Sequence, residues 1–263
     1  MVCQGATLPN VAARTAAGWA APRGGALAVS RKELRVRRIG LTAIVLAGWL
    51  ATSLGVVADL GRAATAQMQM ASVRVVHASP DAPAVDVLVD GNRAITNLAF
   101  GQAAGYVDLA AGSHQVAVVP AGAGPEAAVI QATLELAAGR SYTVMAVGQL
   151  AQIEPLVLSD DRAAPMGGTA KVRFVHTAPD APAVDIAVTG GPVLFSNVPF
   201  KEASQYLEAP AGTLDLEVRV AGTDTAVLTV PGVTLEAGKV YTIAAIGLAG
   251  GTPSLQALPL IDA

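Results

Sequence analysis

A nineteen-residue stretch occurs twice in this chain, and the repetition restricts the fold more than any other feature. Val73 to Gly91 reads VRVVHASPDAPAVDVLVDG. Val172 to Gly190, 99 residues later, reads VRFVHTAPDAPAVDIAVTG, with 13 of the 19 positions identical. The identities include His77/His176, Pro80/Pro179, Asp81/Asp180, Pro83/Pro182 and Asp86/Asp185. A period near one hundred describes a tandem of whole domains, because solenoid units run to roughly 20–50 residues. The length of 263 residues agrees with about two domains.

The repeats run from residue 72 to 161 and from 171 to 263, joined by a linker at 162–170. The segment DDRAAPMGGT (Asp160–Thr169) is polar, small and Pro/Gly-containing, and reads as a short flexible joint. Within a repeat, apolar runs of five to eight residues alternate with turn signals, and no stretch sustains a 3.6-residue period. In the first copy this predicts strands near 73–77, 84–89, 94–99, 104–109, 114–119, 127–135, 141–147 and 153–158. Leu136-x-x-Gly139-x-x-Tyr142 recurs as Leu235-x-x-Gly238-x-x-Tyr241. That pattern entering a strand predicts a tyrosine corner, with the ring in the core and its hydroxyl bonded to backbone upstream. The expected fold is all-β: two tandem immunoglobulin-like sandwiches of seven or so strands each.

The N-terminal quarter carries a different message. Residues 1–30 show no usable periodicity and read as a disordered extension or an over-extended reading frame. The basic run Arg31–Arg38 is followed by Ile39–Ala58, 20 residues without a charge, and then by the small-x-small site Ala64-Thr65-Ala66. Positive, apolar, small is the order of an export signal, so residues 31–66 read as an apolar export helix with Gln67 as the mature start. Retention of residues 39–58 as a membrane anchor is the alternative, since 20 uncharged residues just span about 30 Å of hydrocarbon. In both cases the basic flank stays cytoplasmic and the repeats lie outside. From Gln67 onward there are 9 basic and 18 acidic residues, a net charge of −9. A surface that acidic repels a phosphate backbone and argues against nucleic acid. Cys3 is the only cysteine and precedes the export segment, so the repeats hold no disulfide and no thiol nucleophile.

The repeated motif offers several chemistries. Alternation puts Val73, Val75 and His77 on one face of a strand and Arg74 and Val76 on the other. Phe174 in the second copy marks the first face as the core. Paired as a hairpin, the two motif strands would set Arg74 diagonal to Asp86, and Arg173 to Asp185, as surface ion pairs. His77 would cap the core edge and bond the Asp81 turn. Against this structural reading stand two others. His77, Asp81 and Asp86 could ligate a metal, although Asp86 points away from His77. Ser79, His77 and Asp81 have the residue types of a hydrolytic triad, but they lie within five residues and Ser79 becomes Ala178 in the second copy. His114, matched by Leu214, reads as an exposed or edge residue. Trp19 and Trp49 lie outside the repeats, so no aromatic platform for carbohydrate is expected. Phe100/Phe200 and Tyr106/Tyr206 read as core rings, and Asn97/Asn197 as turn residues. No glycine-rich phosphate loop is present. No catalytic, cofactor-binding or metal-ligating residue is therefore assigned.

V-R-V-V-H-A-S-P-D-A-P-A-V-D-V, with N-L-A-F, Y-V-D-L-A-A-G and L-x-x-G-x-x-Y-T-V after it, resembles the bacterial domain-of-unknown-function family 4397 over nearly all of residues 72–263. The resemblance implies a secreted or surface-exposed β-sandwich module, often in tandem, and carries over no catalytic residues. The expectation is an exported, non-enzymatic interaction or structural module at the cell envelope. It would need no cofactor, bind an envelope protein or polymer, and touch the membrane only through an uncleaved 39–58 segment. A ligand- or metal-binding extracytoplasmic sensor is the alternative.

Overall fold

The computed structural model describes residues 69–263. The expected N-terminal extension and export segment, residues 1–66, lie outside the described residues. Each repeat forms eight strands. The first contains β1 (Met70–His77), β2 (Val85–Val89), β3 (Asn92–Leu98), β4 (Val107–Ala110), β5 (Gly112–Pro120), β6 (Ile130–Leu136), β7 (Ser141–Val147) and β8 (Glu154–Asp160). The second contains β9 (Thr169–His176), β10 (Val184–Val188), β11 (Val193–Val198), β12 (Leu207–Pro210), β13 (Gly212–Val220), β14 (Ala226–Leu235), β15 (Val240–Ile246) and β16 (Gln256–Ile261). All eight strands read from the first copy are present, with shifted ends. Two single turns of 3₁₀ helix, Pro125–Ala127 and Leu150–Gln152, are the only helical segments among the described residues.

The sheets of the first repeat have strand orders β4-β1-β7-β8 and β3-β2-β5-β6, and the second repeat reproduces them as β12-β9-β15-β16 and β11-β10-β13-β14. Most neighbours are antiparallel, but β1 runs parallel to β7 and β9 to β15. Inside each sandwich the inward positions of the two sheets meet. Val73, Val85, Val87, Val118 and Val144 lie in one core, and Val172, Val184, Ile186, Val218 and Ile243 in the other. The alternation of each motif strand dictates this, because the residues of one parity face one layer.

Two expectations fail here for one reason. β1 and β2 do not pair as a hairpin; they sit in opposite sheets, and the Ala78–Ala84 connection crosses between them. Arg74 and Asp86 therefore form no ion pair. Nor is the Arg74/Val76 face of β1 solvated. Val76, Met145, Val147 and Leu158 of the first repeat join Val175, Ala244, Ile246 and Leu260 of the second in a third core. The β1 and β9 sheets are thus covered on both sides, and the molecule is four sheets deep. Sheets buried on both faces carry apolar residues at both parities, as VRVVH and VRFVH do. The joint is not loose either. Lys171 Nζ donates to Asp161 Oδ2 (3.0 Å) and to the Ala163 carbonyl (2.9 Å), and Thr169 Oγ1 to the Met166 carbonyl (2.8 Å).

Candidate functional site

His77 ends β1 with no solvent exposure. Its Nε2 donates to the Pro83 carbonyl (2.9 Å) and its Nδ1 accepts from the Ser79 N–H (3.3 Å), which fixes one neutral tautomer. His176 repeats this with Pro182 (2.9 Å) and Ala178 (3.3 Å). Each ring meets a phenylalanine edge-on, His77 with Phe100 at 6.4 Å and His176 with Phe200 at 6.2 Å. Burial pushes both imidazoles below their ordinary pKa, and the carbonyl bonds oppose it. The histidines staple the Pro-Asp-Ala-Pro crossover; both ring nitrogens are used within the chain.

The carboxylates of the motif are engaged elsewhere. Asp81 Oδ1 accepts from the Leu150 N–H (2.7 Å), and Asp180 accepts from Ala249 (2.7 Å) and Gly250 (3.0 Å). Asp86 accepts from the N–H groups of Asn97 (2.6 Å) and Gly122 (2.9 Å), and pairs with Arg93. Asp185 takes the same two bonds from Asn197 (2.6 Å) and Gly222 (2.9 Å), which hold its carboxyl below the usual range. Asn97 and Asn197 have φ of 53° and 51°, where asparagine is tolerated, at the bulges of β3 and β11. His77, Asp81 and Asp86 thus do not converge, and no group of three or more His, Cys, Asp or Glu residues gathers among the described residues. The Ser79 hydroxyl is buried and without a partner, and the imidazole faces its backbone N–H, so the triad geometry is not assembled. His114 bonds Asp90 Oδ2 and the Ala110 carbonyl, both at 2.7 Å; it is half-buried on β5, an interior strand of its sheet, and not at the exposed or edge position expected.

What the motif does bring together lies between the repeats. Arg74 donates through Nε and Nη2 to Thr143 Oγ1 (3.2 and 2.8 Å), through Nη2 to Asp262 Oδ1 (2.6 Å), and through Nη1 to the Ile261 carbonyl (3.0 Å). Arg173 answers from the other side, to Thr242 Oγ1 (2.8 Å), to Asp160 Oδ1, and to the Ser159 carbonyl (3.0 Å). The threonine hydroxyls donate on to Asp160 Oδ2 (2.7 Å) and Asp262 Oδ2 (2.6 Å). Tyr106 and Tyr206 donate to the same two oxygens, at 2.7 and 2.8 Å. Their rings lie 4.8 and 4.7 Å from the guanidinium carbons of Arg74 and Arg173. The result is a closed circuit: Arg74, Asp262, Thr242, Arg173, Asp160, Thr143. Both arginine–aspartate pairs are buried, with side-chain exposures of 4% and 0%, and of 3% and 0%. Burial foremost raises both tyrosine pKa values, so these hydroxyls remain donors.

Each aspartate serves the arginine of the other repeat, so neither repeat completes its polar cluster alone. The arginines expected to pair with Asp86 and Asp185 pair instead with Asp262 and Asp160. The available signal was Ser159-Asp160 and Ile261-Asp262, where an acid closes the last apolar run of each copy. Beside the joint, Arg140, Ser159, Asp161, Arg162, Gln205 and Tyr206 line an open polar cleft of about 570 Å³. The two sandwich cores each enclose an apolar cavity of about 30 Å³. The tyrosine corners are formed as expected: Tyr142 and Tyr241 hydroxyls accept from the N–H groups of Ala137 and Glu236, each at 3.1 Å.

A family model described as Domain of unknown function (DUF4397) matches residues 71–187 and 186–263. The boundary between the two matches falls inside β10, not at the joint. No curated protein matches the chain. Among solved structures, the Bacillus anthracis TIE protein is 11% identical over 68% of this chain and 34% of its own, with a TM-score of 0.23. A likeness that slight carries no argument.

Proposed function

The chain belongs to the DUF4397 family, and from that premise we propose that it is an exported, non-enzymatic interaction or structural module of the bacterial cell envelope. The observation that carries this reading is the use made of the motif. His77, Asp81, Asp86 and their second-copy equivalents are bonded to the chain's own backbone, and the two arginines to the partner repeat. Side chains so engaged build a scaffold and leave recognition to its surface. Export is supported by the order basic, apolar, small in residues 31–66. The first described strand, β1, begins three residues after Gln67, so cleavage there leaves every described strand in place. In finer terms each unit is proposed as a variant of the immunoglobulin-like sandwich. It has that fold's two face-packed sheets and tyrosine corner, but its first two strands lie in opposite sheets. Mass measurement of the extracytoplasmic product tests the address: a start at Gln67 is expected, and an intact chain recovered from the cytoplasm would refute it. Capture of a defined envelope partner by that product tests the role.

The cleft at the joint favours a second reading, a ligand-binding extracytoplasmic sensor. Arg140 and Arg162 stand over it in a region of net charge −9, which suits a small anion. Melting in the presence of citrate or phosphate separates the readings, because a ligand that binds only the folded state must raise the midpoint.

A further inference from the structure

The interface between the repeats has the form of a symmetric dimer interface written into one chain. Arg74, Thr143, Asp160 and Tyr106 are met by Arg173, Thr242, Asp262 and Tyr206, the same residue types at equivalent strand positions. Its apolar centre, however, is not symmetric. Met145 faces β1 at Val76 and β8 at Leu156; the equivalent residue of the second repeat, between Val175 and Leu258, is Ala244. Two residues on, Val147 corresponds to Ile246. All four are at most 1% exposed and belong to one cluster. The repeats are therefore alike in polar pattern and complementary in size. Two first repeats would crowd two methionines into this centre, and two second repeats would leave a void between alanines. Interiors at native packing density resist both.

We propose that this face is specific for the unlike repeat, and that a second copy of this chain docks on it by exchange, the first repeat of each copy closing on the second repeat of the other. The contacts that define the interface run from repeat to repeat, so a partner's repeat reproduces them. Asp161–Gly168 forms no strand; its own bonds, Lys171 Nζ to Asp161 Oδ2 and Arg162 Nε to the Asp262 carbonyl, are the ones that depend on whether the two repeats come from one chain. Exchange of an identical element is a low-cost route to a dimer. A short tether holds the linked repeats at an effective concentration on the order of millimolar, so the closed monomer prevails in dilute solution.

The test uses the chain from Gln67 onward, whose described residues, 69–263, lie within one compact unit. Joining Asp160 directly to Thr169 leaves one step of about 3.8 Å between strands of sheets that stack about 10 Å apart. This variant is expected to have twice the chain mass by light scattering; a monomer with native melting would overturn the proposal. A second arm does not depend on that variant folding. Met145→Ala and Ala244→Met chains, each mismatched on itself, are unfolded together and refolded at high concentration. Unlike dimers in excess of their random share, melting above either variant alone, are expected. A mixture that behaves as the superposition of its two components refutes exchange.

Discussion

Removing Asp262 strips three donors of their acceptor at once. In Asp262→Ala the Arg74 guanidinium keeps Thr143 and the Ile261 carbonyl but loses its only carboxylate, and the hydroxyls of Thr242 and Tyr206 lose Oδ2. Breaking a buried ion pair by deleting one partner costs about 3–5 kcal/mol, because the survivor remains charged and out of water. A surface pair would cost at most about 1 kcal/mol. For a folded unit of nearly two hundred residues, each kcal/mol moves the melting midpoint by about 2–4 °C. The variant is therefore expected to melt about 6–20 °C below the parent. Adding Arg74→Met removes the stranded charge and recovers much of the loss, and the double-mutant cycle isolates the coupling.

Urea denaturation followed by far-UV circular dichroism, with calorimetry, supplies the measurement. Tryptophan fluorescence does not serve, since Trp19 and Trp49 both precede Gln67. Location matters as much as magnitude. Asp262 belongs to the second repeat but serves Arg74 of the first, and the third core is shared. Both repeats should lose stability together, in one transition. A loss below about 1 kcal/mol, or two separate transitions of which only one moves, would refute the argument.

Ser79→Ala should be neutral or gain about 1 kcal/mol, since the buried hydroxyl is unpartnered and Ala178 already fills that site in the second repeat; an equal loss in urea titration would reveal a bond to it. Tyr241→Phe should cost about 1 kcal/mol by removing the acceptor for the Glu236 N–H, and stability unchanged within error would argue against the corner. His77 and His176 have folded pKa values depressed by burial. Their contribution is complete above the unfolded value near 6.5 and is lost as pH falls toward the folded values, by at most about 1.4 kcal/mol per pH unit for each. His114, raised by its bonds to Ala110 and Asp90, acts in the opposite sense from a half-buried position. The midpoint should therefore fall between pH 7 and 5, and His114→Leu should not abolish that fall.

The strands were legible because apolar runs broken by Gly and Pro report local structure, and a duplicated chain states its boundaries twice. The tyrosine corners were legible for the same reason: Gly139 and Gly238, with φ of 70° and 81°, sit at fixed offsets before their rings. Partners in space were not. Sequence proximity pairs Arg74 with Asp86, twelve residues away, because a local hairpin is the nearest way to neutralise a charge in a strand. Its real partner lies 188 residues downstream in the other repeat. Alternation assigns residues to faces and says nothing of what lies against each face. The useful clue was an inconsistency. Val76 and Val175 share the supposed solvent face with a duplicated arginine, and both are fully buried. An apolar residue beside a strand-centre arginine in both copies is costly on a surface but sensible against a second sheet that brings an aspartate. The same reasoning explains the likeness of the motif strands: each repeat must satisfy its own sandwich on one face and its sibling on the other, which leaves few positions free to change.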